Sequence, residues 1–297
     1  MRKRPLTRKR WEPVAANVLM PPIDPSLLDP SGRTLHKLVD RTGYTVDIVA
    51  SPGTGMPHRH QGVELVFVHG GLAVWWVGDV FHVLFPGDAL VFEAGEYHAS
   101  RPVHGSYLRT TIHVIPDAFD LSALYRLALD GKPARRVQLS EEAAPRVFRS
   151  ICSLKERMSG NKGDSQARSD IARIVTEVGE AAARPSDRPV HPVLQEALQY
   201  MIEHVESEET VEELAARLYV SKGHLHHLFR ASLGCSPVQM WHVTKMERTC
   251  RSLLAGGRSV AELAAEAGFA TRRGFQRAFK RVTGVSVETY KRRLQEI

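Results

Sequence analysis

The sequence has no uninterrupted apolar run of about 18 residues, which excludes a membrane-spanning helix. Cysteine is scarce. Cys152, Cys235 and Cys250 form no CxxC pair and no even set, which excludes a disulfide framework and a zinc ribbon and fits a reducing, cytoplasmic compartment. No apolar segment follows the basic start MRKRPLTRKRW, so no secretory signal is expected. Acidic residues are missing from the first ten positions, which hold Arg2, Lys3, Arg4, Arg8, Lys9 and Arg10. What is present is ordinary for packed protein: 43% hydrophobic and 25% charged residues, too apolar for a disordered chain. A length of 297 residues is about twice a typical domain, so two domains are expected.

Charge is distributed unevenly. Val190–Glu213 holds seven glutamates and no Lys or Arg, whereas Leu214–Ile297 holds fifteen Lys and Arg against five Glu. A switch of that kind suits a face aimed at phosphates, although a solvated helical surface would also produce it.

Changes of period mark the organisation. Residues 1–30 are basic and then proline-rich, without a period, and read as an arm. Residues 31–116 contain short apolar–polar alternations broken by Gly70-Gly71, Gly78-Asp79 and Pro86-Gly87-Asp88, the pattern of an antiparallel sandwich or barrel. Residues 117–184 change to a helical period, with Val147, Ile151, Leu154 and Met158 on one stripe and Ala167, Ile171, Ile174 and Val178 on another. The turn Gly160-Asn161-Lys162-Gly163 between them predicts a helical hairpin, whose seams either cover the barrel or pair with a second copy in a homodimer. Arg184–Pro189 reads as a linker into residues 190–297.

The last hundred residues repeat. Thr210-Val-Glu-Glu-Leu-Ala-Ala matches Ser259-Val-Ala-Glu-Leu-Ala-Ala at an offset of 49, while Ser221, Phe229 and Gly234 match Thr271, Phe279 and Gly284 at an offset of 50. Each copy opens with a capping box, turns tightly, and ends a second helix on glycine, which is a helix-turn-helix. A helix over Pro237–Ala255 would set two reading helices about one DNA turn, roughly 34 Å, apart. In the second of these, Phe275 and Phe279 form a core pair, and Arg272, Arg273, Gln276 and Arg277 project elsewhere. Arg and Gln are the side chains that grip guanine and adenine edges. Lys280, one turn on, suits a phosphate.

These residues resemble the AraC/XylS class of transcriptional regulators, through Ala261-Glu-Leu-Ala-Ala, Gly268-Phe269, Phe275, Phe279-Lys280, Gly284 and Tyr290, and in the first copy Leu214-Ala215, Ser221, Leu225, Phe229 and Gly234-x-Ser-Pro237. The resemblance places base-reading positions on Gly223, His226 and His227 and on Arg272, Arg273, Gln276 and Arg277. It departs from the pattern at Gly223 and the two histidines, at Trp241, at Lys245 and at Val287, which weakens reading by the first copy.

A second pattern, His58-x-His60-x3-Glu64-x6-Gly71 followed by Gly87-x7-Gly95-x2-His98, lies in the strand-rich region. On a strand, the i, i+2 spacing puts His58 and His60 on one face, and a bend at Gly62 could bring Glu64 round. Three imidazoles and a carboxylate suit a divalent transition metal such as Zn, Ni, Fe or Mn, and they equally suit direct contacts to a polar effector. The pattern resembles the two cupin motifs, departing at Glu93 and Pro102. Trp75, Trp76, Phe81 and Phe85 suggest an aromatic wall, with Trp76 placed among the effector contacts. His104 and His113 are scattered.

The expected fold is therefore α+β: a cupin-like antiparallel β-barrel, a helical linker hairpin, and an all-α double helix-turn-helix domain. The expected function is a non-enzymatic, DNA-binding regulator controlled by a small effector. Its partners would be an operator duplex, a second copy and RNA polymerase, with no membrane. The rival is a metal-dependent cupin enzyme with an accessory DNA-binding domain.

Overall fold

Among the described residues the N-terminal half is built from eight strands in two antiparallel sheets. They are β1 (Tyr44–Ser51), β2 (Val63–Gly70), β3 (Ala73–Val77), β4 (Val80–Leu84), β5 (Asp88–Glu93), β6 (His98–Pro102), β7 (Tyr107–Val114) and β8 (Ala134–Gln138). The computed structural model describes residues 43–51, 56–78, 80–93, 95–103, 107–132, 134–157, 165–183 and 191–295. The basic arm, Met158, the Gly160–Gly163 turn, the Arg184–Pro189 linker and His104 lie outside them.

The larger sheet runs β1-β7-β2-β5-β8 and the smaller β4-β3-β6. The expected closed barrel is thus an open two-sheet sandwich. Closure would need β5 to pair onward with the small sheet, but its free edge is taken by β8, with Asp88 opposite Gln138 and Phe92 opposite Ala134. The sheet therefore reaches past residue 116, into the stretch expected to be purely helical. Alternation sorts the two faces of the large sheet. Val63, Leu65, Phe67, Ile112 and Val114 point outward into one apolar cluster, while Val66, Val68, Leu90, Phe92 and Trp75 fill the interior between the sheets.

Two helices, α1 (Ala143–Arg157) and α2 (Ser165–Ala182), cover the outer face. Val147, Ile151 and Leu154 meet Ala167, Ile171, Ile174 and Val178, and both stripes press on Val46, Ile48 and Leu65. Ile171, Ile174 and Val178 are 2%, 1% and 0% exposed within the single chain, so these residues offer no dimer seam. The sheet face is wide enough to use both stripes.

The C-terminal half is helical: α3 (Pro192–Glu203), α4 (Val211–Arg217), α5 (Lys222–Leu233), α6 (Pro237–Ala255), α7 (Val260–Glu266), α8 (Arg272–Thr283) and α9 (Val287–Leu294). Both capping boxes form, Thr210 with Glu213 and Ser259 with Glu262. Gly234 and Gly284 close α5 and α8 in the left-handed conformation. Helix α6 is the wall shared by the two copies: Met240, Trp241 and Val243 pack with the first, and Met246, Cys250 and Leu253 with the second. No helix of the described residues is long and apolar enough to cross a membrane.

Candidate functional site

The histidines converge. His58 and His60 do not share a strand. They lie in the segment that enters β2, where His58 forms an isolated antiparallel bridge with His98, the first residue of β6. The backbone then bends at Gly62 (φ +97°), where an added Cβ would lie 2.5 Å from the Val114 carbonyl oxygen. That bend turns Glu64 inward on β2, directly opposite His113 on β7. Glu64 is 3% exposed, and its Oε2 lies 2.8 Å from His60 Nε2, 3.2 Å from His98 Nε2 and 3.4 Å from His113 Nε2. His58 stands one step back, its ring centroid 4.3 Å from that of His98 and 5.9 Å from that of His60.

Each ring is anchored through its other nitrogen. Nδ1 of His58 lies 3.0 Å from the Met56 carbonyl, that of His98 2.9 Å from the Glu96 carbonyl, and that of His60 3.3 Å from the Gln61 carbonyl. His113 Nδ1 lies 3.0 Å from Thr45 Oγ1. A ring nitrogen facing a carbonyl carries the proton, so a neutral ring turns its Nε2 lone pair toward the cluster. Lone pairs and a carboxylate held about 3 Å apart repel unless a positive charge, that of a metal ion or of an imidazolium proton, sits among them. Burial alone would raise the Glu64 carboxyl, but the neighbouring imidazoles, His113 foremost, hold it well below the usual carboxylate range. Burial, then the nearby His98, pushes His58 down to about 4.

The donors fit a metal. Ligand atoms about 2.1 Å from one ion lie roughly 3.0 to 3.4 Å from one another, and the three contacts of Glu64 fall around that range. Two overlapping triads, His58–His60–His98 and His60–Glu64–His113, bring their ligand atoms within 4.8 Å of one another. Anchored Nδ1 atoms are the usual outer support of metal-binding imidazoles.

The aromatic wall is not where the sequence suggested. Trp75 faces the interior, its ring 6.0 Å from that of Phe92, which in turn lies 4.8 Å from His98. Trp76, the next residue on β3, points the opposite way and donates its Nε1 to Glu247 of α6 at 2.9 Å. Phe85 and the partly buried Phe81 likewise pack on the helical half. Trp76 is therefore an interdomain residue and not a contact of the histidine site. His113, by contrast, joins the site although its position in the sequence did not suggest it.

The second candidate surface is carried by α5 and α8. In α8 Phe275 and Phe279 are fully buried, which turns Arg272, Arg273, Arg277 and Lys280 to solvent. Gln276 is half-buried, with its amide 3.5 Å from Glu288. In α5 Leu225 and Phe229 take the core positions, Gly223 and His227 are exposed, and His226 is half-buried. Lys222 of α5 is bound by Glu212.

A two-sheet domain with a histidine–carboxylate cluster is thus joined to a pair of helix-turn-helix units. Residues 214–293 match the family model described as a helix-turn-helix domain, and residues 46–106 match that described as a cupin domain. The chain is 32% identical over 97 residues to the MmsAB operon regulatory protein of Pseudomonas aeruginosa, covering 33% of this chain and 32% of that one. It is 31% identical over 101 residues to a protein of Streptomyces antibioticus described as an AraC-like transcription regulator, covering 34% and 33%. It spans about a third of the length of these relatives. Among solved structures, the C-terminal domain of AraT, a response regulator from Geobacillus stearothermophilus, matches at 30% identity and a TM-score of 0.35, over 35% of this chain and 88% of that one. The chain carries a helix-turn-helix domain behind a cupin domain, and shares about a hundred residues of moderate identity with a protein described as an AraC-like regulator.

Proposed function

We propose that this protein is a cytoplasmic transcription regulator that reads an operator with α5 and α8 and is controlled by what binds at the histidine cluster of its cupin domain. The observation that carries the reading is the pair of capped helix-turn-helix units on one shared helix, α6, with Arg272, Arg273 and Arg277 exposed on α8. Long cationic side chains on a helix whose opposite face is wholly core are suited to a major groove. Lys280 suits the adjoining phosphate.

His60, Glu64, His98 and His113 would hold a divalent transition metal, with His58 beside them. The metal would supply a Lewis-acidic point for an oxygen of the effector. The chain's own groups do the rest: the backbone carbonyls of Met56, Gln61 and Glu96 fix three of the rings, Thr45 fixes His113, and Phe92 lines one side. A second copy, if recruited, uses a surface other than the α1–α2 stripes, and RNA polymerase would be met at the promoter.

The test uses the full chain. Co2+ serves as a spectroscopic probe of the cluster, and a duplex selected by the chain from a random pool serves as its DNA ligand. Expected are ligand-field bands with one equivalent of Co2+, lost in His60→Ala, and duplex binding that falls steeply with salt. Absence of duplex binding at low salt refutes the regulator reading. Bands unchanged in His60→Ala refute the metal assignment.

A further inference from the structure

Among the described residues, a glutamate of helix α6 takes its cationic partner from the cupin domain. Glu247 is 0% exposed at the middle of the helix and faces the outer side of the small sheet. Its Oε2 accepts the indole N–H of Trp76 at 2.9 Å, and its Oε1 accepts Nε of Arg101, itself 1% exposed. Both donors belong to the cupin domain, Trp76 from β3 and Arg101 from β6. Arg101 also extends Nη1 to the carbonyl of Val282 in the last turn of α8, at 3.4 Å. One guanidinium thus touches both the helix that joins the two DNA-reading units and the C-terminal end of the second reading helix, where a cation is favoured by the helix dipole.

The same short strand begins at the histidine cluster. β6 opens with His98, whose ring faces Glu64, whose backbone is bridged to His58, and which lies three residues before Arg101. Alternation along β6 sends His98 and Ser100 into the sandwich and Arg101 out of it; Ser100 meets the interior Tyr107 hydroxyl at 2.5 Å. On β3, Trp76 is paired with Ala99, between the two ends of this path. Three residue steps along the strand, about 10 Å of backbone, lead from His98 to Arg101. The exposed side chains of α5 and α8 remain open to solvent while this contact is made, so it does not work by covering the DNA face.

We propose that Trp76, Arg101 and Glu247 form an interdomain latch through which the histidine site sets the pose of α6 and α8, and so the spacing of the two reading helices. The proposal rests on the reading of the histidine cluster as the signal site. A buried ion pair suits such a device: it is costly to leave half-made, so the domains dock fully or separate, and one intermediate geometry is not tolerated. A shift of His98 along β6 is carried to Arg101 without an intervening loop. The coupling favours the docked arrangement and the DNA-competent spacing together.

The test is a double-mutant cycle in the full chain, read by hydrogen exchange. His98→Ala disturbs the site whatever its ligand is. It is expected to speed exchange of the α6 amides around Thr244–Cys250 by about ten-fold or more. In the Arg101→Met/Glu247→Leu background, which replaces the pair with apolar groups of similar size, the same change is expected to alter α6 by less than about two-fold. Glu247→Gln keeps an acceptor for Trp76 and Arg101 without the charge, and serves if the double variant does not fold; there too the effect of His98→Ala should shrink. Equal effects of His98→Ala with and without the pair overturn the proposal, as does faster exchange in β6 with α6 unchanged. A separate Co2+ titration of the wild-type chain reports on the signal-site reading, so failure there and failure of the latch are told apart.

Discussion

Replacing the exposed arginines of α8 one at a time tests which reading unit holds the operator. Arg272, Arg273 and Arg277 extend from the face opposite Phe275 and Phe279, so truncating them removes no core packing. A bidentate arginine–guanine contact discriminates by about 1–3 kcal/mol, or roughly 5- to 150-fold in affinity. An arginine on a phosphate instead costs all sequences alike and lowers the salt slope by about one. The first unit offers less. Gly223 has no side chain, Lys222 is engaged by Glu212, and His226 is half-buried, which leaves His227 as its exposed reader among the positions that the resemblance assigns. A neutral imidazole has one donor, so His227→Ala is expected to cost less than 1 kcal/mol, about the net worth of one hydrogen bond. The assay is fluorescence anisotropy on the selected duplex and on single-base variants, at two salt concentrations. At least one of Arg272→Ala, Arg273→Ala and Arg277→Ala should flatten the preference at one base step. Lys280→Ala should weaken all duplexes equally and reduce the salt slope. A larger loss for His227→Ala than for every arginine variant refutes the assignment of the dominant unit.

Ile174→Asp should lower the thermal midpoint sharply or abolish folding, because the side chain is 1% exposed against the sheet and a carboxylate there has no partner; a folded variant that has merely changed its oligomeric state, by sedimentation, would return the stripe to a dimer seam. Burial pushes His69 down to about 4, below its unfolded value near 6.5, so the folded state takes up its proton later than the unfolded chain. Stability from this group is full above about pH 6.5 and is lost as pH falls from there to about 4, by at most about 3 kcal/mol. Denaturant melts of wild type and His69→Gln across that window check it, and an equal pH dependence in the two would refute it. His113→Ala should weaken Co2+ binding by at least about ten-fold in a competition titration, as loss of a ligand or of its support does; an unchanged affinity removes His113 from the site.

The helix-turn-helix pair was legible because its signals are local. Capping boxes, C-terminal glycines and the Phe275–Phe279 spacing are decided within one or two turns, and each formed as the residues dictate. His58, His60, Glu64 and His98 could be grouped by motif, although the first two sit in a bent entry segment and not on a strand. His113 could not be grouped, since it meets Glu64 only through the β2–β7 register, a pairing between residues 49 positions apart in sequence that no spacing rule reports. A weak signal existed: Thr111 and His113 break the apolar parity of Ile112 and Val114, which marks the polar side of β7. Trp76 was misplaced for a related reason. Alternation shows that Trp75 and Trp76 face opposite ways, but not which side another domain covers. The same holds for the α1–α2 stripes, whose apolarity was plain and whose partner was not. The open edge was not legible because β8, which takes it, is a strand of Arg135, Arg136 and few apolar residues inside a stretch of helical period.

The turn of each helix-turn-helix places one residue in the left-handed region, and the two copies fill it differently. In the first it is Tyr219, φ +56° and 97% exposed; in the second it is Gly268, φ +64°. At Gly268 an added Cβ would lie 2.5 Å from the Glu206 carbonyl oxygen and 2.8 Å from Lys245 Nζ, which itself donates to the Ser207 carbonyl. The second turn is therefore wedged against the segment that leads into the first copy, while the first turn touches nothing comparable. The two units are therefore not interchangeable. A chain with the copies in reverse order would set Tyr219 where only glycine fits, and a third copy appended in series would meet no equivalent of the Glu206–Ser207 seat. The seat of the second unit against the entry to the first is held open by a missing side chain.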